Sequence, residues 1–60
     1  MDINCLITAR QSLENAKREL VYSIRSFEKS EGNFESTIKE IKENIGDIEV
    51  AIEALRDKGI

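Results

Sequence analysis

Proline, histidine and tryptophan are absent from this 60-residue sequence, and cysteine occurs once, at Cys5. A single cysteine excludes an intramolecular disulfide, and the lack of histidine removes most zinc sites that one chain can build. Aromatic content is 5%, too little for a β-sandwich core or for a platform that stacks nucleic-acid bases. No apolar run approaches the roughly 20 residues that cross a bilayer. The opening Met1-Asp2-Ile3-Asn4 lacks the basic segment and long apolar core of a signal peptide. A cytoplasmic protein is therefore expected, in keeping with an unpaired Cys5 in a reducing compartment. A chain this short buries a small share of its surface, and without disulfide or metal the remaining source of stability is association.

What the sequence does contain is helical periodicity. From Phe34 onward, Phe34, Ile38, Ile41, Ile45, Ile48, Ile52 and Leu55 alternate steps of four and three, which places them on one stripe of an α-helix. Such a stripe needs a covering helix. The first half has a weaker stripe of Leu6, Ala9, Leu13, Ala16, Leu20, Ser23 and Phe27, with steps of three then four and alternating large and small residues. Small residues facing isoleucines would fill space at normal density. The two stripes start on different steps, so one continuous helix would rotate its seam at their junction. Ser30-Glu31-Gly32-Asn33 lies there, with Gly32 suited to the left-handed end of one helix and Asn33 to capping the next.

These signals predict a single all-α domain over residues 1–60: an antiparallel helical hairpin with helix 1 about 3–29, a turn about 30–33 and helix 2 about 34–58. Asp2 is the expected first cap, with Met1 packing on Leu6. Gly59 and Ile60 are expected to close helix 2 as a Schellman motif, Ile60 touching Leu55. Both ends being punctuated, a self-contained unit is expected. Gly46 contradicts helix 2 locally, since glycine inside a helix costs about 1 kcal/mol. The stripe holds its phase through Ile41, Ile45, Ile48 and Ile52, so one uninterrupted helix is expected there.

Isoleucine at both seam positions of helix 2 favours assemblies above two strands. Cys5, Ser12 and Ser26 on helix 1 and Thr37, Asn44 and Ala51 on helix 2 add small residues beside the seam and widen it toward the face of a bundle. Two hairpins are thus expected to pair as a homodimeric four-helix bundle, with the two stripes as its core and interface. Ile45 and Ile48, mid-stripe, are expected to be deeply buried. Ile7, Val21, Tyr22 and Val50 fall on outward positions and form the candidate surface for another protein partner.

Net charge is -3, with five basic and four acidic side chains in residues 1–29 against four and eight in residues 30–60. That balance disfavours general binding to nucleic acid or to acidic membranes. Helix 1 nevertheless carries Asn4, Gln11, Arg18 and Arg25 opposite its seam, with Asn15, Tyr22 and Lys29 beside them, groups that contact phosphates and bases. In this layout the chain resembles the Rop type of plasmid regulator, a dimer of helical hairpins that binds paired RNA loops along its first helices. The resemblance is architectural, and it implies an RNA face at Gln11, Asn15, Arg18, Tyr22, Arg25 and Lys29. The bland alternative is a solvated surface held by pairs such as Glu14 with Arg18.

Other chemistry is sparse. A reactive thiol needs a positive neighbour, and the charge nearest Cys5 is Asp2. Carboxylate pairs such as Glu49 with Glu53 and Glu43 with Asp47 have helical spacing but no histidine beside them, so they read as solvated charge. No cofactor, metal site or enzymatic activity is expected. The expected role is a protein-binding and oligomerisation module, a regulator, inhibitor or assembly factor acting by helix packing, with RNA regulation as the alternative.

Overall fold

The computed structural model describes residues 2–60 and consists of two α-helices packed against each other. Helix α1 spans Ile3–Lys29 and α2 spans Glu35–Asp57, so the second helix is one residue shorter at each end than periodicity suggests. The expected contact of Met1 with Leu6 lies outside the described residues. Together the helices form an antiparallel rod of 47 × 15 × 12 Å, close to the ~40 Å that 27 residues reach at a rise of about 1.5 Å each.

Local chemistry fixes the ends. The Asp2 carboxylate accepts a hydrogen bond from the backbone N–H of Asn4 at 2.9 Å, satisfying one of the free donors of the first turn. At the far end Gly59 has φ +82. Its N–H donates to the Arg56 carbonyl at 2.8 Å, and the N–H of Ile60 to that of Leu55 at 3.0 Å. These two bonds are a complete Schellman closure.

The turn differs from expectation. Helix α1 stops at Ser30, whose backbone is extended, whose N–H reaches the Phe27 carbonyl at 3.2 Å, and whose hydroxyl donates to the Ser26 carbonyl at 2.9 Å. Gly32 therefore sits two residues beyond the cap, at φ +120, and turns the chain instead of ending the helix. Asn33 does accept from the Glu35 N–H at 3.1 Å. The residue at the cap itself is Phe34, which offers no side-chain bond but packs its ring against Phe27 at a tilt of 47°, with ring centres 5.0 Å apart. An aromatic pair of this kind is worth about 0.5–1.5 kcal/mol beyond its buried area.

Gly46 lies inside an unbroken α2, and a methyl group built there would meet nothing within 4 Å. Gly46→Ala should therefore stabilise the protein by about 1 kcal/mol through helix propensity alone. A melting temperature unchanged or lowered would mean that the second helix bends or pairs at this point.

Within one hairpin the seam of α1 departs from the expected stripe. Ala9 and Ala16, expected in the core and interface of the bundle, are exposed in the single hairpin and Ser23 is half-buried, while Arg10, Lys17 and Ile24 are half-buried beside Leu6, Leu13, Leu20 and Phe27. The stripe that faces α2 is thus Leu6, Arg10, Leu13, Lys17, Leu20, Ile24 and Phe27, rotated by one position from the expected set. Long basic side chains can lie along apolar surface on their aliphatic stems while the charged heads reach water. Arg10 does so in part: its side chain is 25% exposed and Nη1 donates to Glu14 Oε1 at 3.0 Å, while Nε is buried without a hydrogen-bond partner. The rotation also brings α1 onto the step order of α2, four then three, so the two seams are in phase rather than out of it.

Candidate interaction surface

The seam does not close over itself. Ile52 is the sole buried hydrophobic among the described residues, at 7% exposure. Phe34, Ile38, Ile41, Ile45, Ile48 and Leu55 are half-buried, so the deep burial expected for Ile45 and Ile48 is not reached within one hairpin. A single partner helix covers a stripe from one side and leaves both of its flanks in contact with water.

The flanks differ in chemistry. On one, Glu14 and Val21 of α1 face Glu49, Ile52, Glu53 and Arg56 of α2 across an open groove. Lys17 bridges it to Glu49 at 3.7 Å, with side chains 42% and 52% exposed. A wet ion pair of this kind contributes between zero and about 1 kcal/mol. On the opposite side of the α1 seam lie Ala9, Ala16 and Ser23, and the corresponding positions of α2 are Thr37, Asn44 and Ala51. None of these six carries charge.

The four residues expected to form an apolar partner surface do not come together. Ile7 and Val21 are half-buried, a departure from their expected outward placement, and stand about 21 Å apart along the helix by its rise. Tyr22 is 49% and Val50 67% exposed, each opposite the seam of its own helix and so on different sides of the rod. Ile3, which periodicity alone did not single out, is 55% exposed. Ile24 also lies outside the expected stripe, although it stands twenty-one residues from Ile3 and fourteen from Ile38, multiples of seven that mark the seam.

Gln11, Asn15, Arg18, Tyr22, Arg25 and Lys29 are all exposed along the outer face of α1. Four of them are engaged in pairs: Arg18 Nη2 donates to Asn15 Oδ1 at 2.6 Å, and the Arg25 guanidinium lies 5.9 Å from the centre of the Tyr22 ring. The expected pairing of Glu14 with Arg18 is replaced by Glu14 with Arg10, because Arg10 sits one turn nearer the helix start and against the seam. Cys5 is exposed, its thiol 3.8 Å from the Asp2 carboxylate.

Among the described residues no three metal-ligating side chains converge, and no helix is long and apolar enough to cross a membrane. Comparison with protein-family models, curated proteins and solved structures gives no match for this chain. The likeness to Rop-type regulators accordingly rests on layout alone, and layout does not carry function.

Proposed function

We propose that this protein is a non-enzymatic, cytoplasmic binding and oligomerisation module, whose hairpins pair as a four-helix bundle and whose outer faces regulate, inhibit or assemble another protein. The observation that carries the reading is the uncovered seam: Ile52 is the one buried residue among the described residues, with other isoleucines left half in water. Covering the flanks with a second hairpin would remove that apolar surface from solvent, at about 25 cal/mol per Å². The uncharged flank of Ala9, Ala16, Ala51 and their neighbours permits the closer approach, since it demands no desolvation of ions.

Sedimentation across a concentration range tests this. Mass should rise from one chain toward two, with helicity rising alongside it, because folding and association share the same buried surface. A fully helical species of one-chain mass at micromolar concentration would refute the bundle.

RNA binding is the second reading, favoured by the exposed Arg18, Arg25 and Tyr22 on one helix face. Titrating the same preparation with paired RNA loops separates the two. Submicromolar affinity that falls steeply with salt and is lost when Arg18 and Arg25 are both changed to glutamine would replace the protein-binding reading.

A further inference from the structure

Leu6, Leu13, Leu20, Phe27, Phe34, Ile41, Ile48 and Leu55 are spaced by seven residues without interruption, across both helices and the connection between them. The second row of the seam behaves in the same way: Ile3, Arg10, Lys17, Ile24, Glu31, Ile38, Ile45 and Ile52. In most hairpins the connection is free to shift the heptad, since no seam passes through it. Here the chain keeps one register from end to end, so a helix running straight through residues 30–34 would carry a single continuous coiled-coil stripe.

We propose that the turn is a hinge between two assemblies of the same seam: the closed hairpin, and an opened chain that pairs with a second opened copy as two antiparallel continuous helices. In the opened form α1 of each chain packs on α2 of the other. The contacts made within a hairpin, Phe27 with Phe34 and Lys17 with Glu49, are then made between chains at the same positions. The occupant of the opened seam is a second copy, because the rows at seven-residue spacing run unbroken through both halves of this chain and two antiparallel copies therefore match along their whole length. This proposal rests on the reading of the chain as self-associating, and specifies a second way in which it does so.

Two residues hold the hairpin closed. Gly32 adopts φ +120, which a side chain resists, and a methyl group there would stand 3.4 Å from the Phe34 ring. Glu31 is exposed in the turn but falls on the seam of a continuous helix, where its carboxylate would be pressed among apolar side chains without a partner. Both residues favour the turn, one through backbone freedom and the other through charge. Exchange of an identical element about a short hinge is a low-cost route to a dimer once that preference is weakened.

The test is the double variant Glu31→Leu, Gly32→Ala, compared with the parent chain by sedimentation and small-angle scattering. The expected result is a species of two-chain mass whose longest dimension grows from the 47 Å of the hairpin to about 80 Å, the length of roughly 55 helical residues. A two-chain species that stays near the original length would overturn the hinge and leave the bundle standing. A short one-chain species would overturn both. Loss of helicity would also count against the proposal, since a continuous register predicts that the substituted turn becomes helix. As a control, two glycines inserted after Gly32 shift the register by two residues and should keep the chain short at every concentration. A long species from that insertion would show that register plays no part.

Discussion

Ile52→Ala should lower the denaturation midpoint of the chain by a large fraction. This side chain is the deepest in the hairpin, 7% exposed, and it sits in the seam of α2 next to the Lys17–Glu49 bridge. Truncating a buried isoleucine removes its transfer free energy and leaves a cavity, about 2–5 kcal/mol in all. A domain of 60 residues at roughly 0.05–0.15 kcal/mol per residue has about 3–9 kcal/mol to lose. The substitution therefore consumes a large fraction of the total. Chemical denaturation followed by circular dichroism measures it, and a midpoint shift worth less than about 1 kcal/mol would show that Ile52 is not a core residue in solution.

The second large effect depends on concentration. Ile45 and Ile48 are half-buried within one hairpin, so their truncation to alanine should cost only about 1–2 kcal/mol each in a dilute, unassociated sample, below the range for fully buried positions. If hairpins pair over the seam, both side chains become covered and the cost rises toward about 2–5 kcal/mol as protein concentration is raised. Each variant, melted at low and high concentration, should thus lose more stability relative to the parent in the concentrated sample. A penalty that is the same at both ends of the range would mean that the isoleucines are not part of an interface between hairpins. The double variant should be additive only if the two sites do not share a cavity; as neighbours on one stripe they are expected to couple.

Helix number, order and ends were legible in the sequence because the signals that set them are local. Asp2 caps through a bond to Asn4, two residues away, and Gly59 closes α2 through bonds spanning three and five residues. The stripe of α2 was legible as well, since every one of its seam positions is large and apolar and no rival phase exists. Gly46 did not interrupt it, because tertiary packing of an amphipathic face outweighs a propensity cost of about 1 kcal/mol.

The stripe of α1 was not legible, and the reason is specific. Leu6, Leu13, Leu20 and Phe27 belong to either of two stripes, completed by Ala9, Ala16 and Ser23 on one side or by Arg10, Lys17 and Ile24 on the other. Counting apolar residues favours the alanines. What decides is how much surface each side chain can lay against α2: the stems of Arg10 and Lys17 and the whole of Ile24 cover more of it than three small groups. Lys17 can also reach Glu49 on the neighbouring helix, an interaction between residues that are remote in sequence. The sequence by itself determined that two helices form, where they end and which face of α2 is apolar, all of which depend on neighbours within a turn or two. Only the tertiary structure decided which face of α1 meets it, because that choice is made by contact across the hairpin, and with it came the single register that runs through both helices.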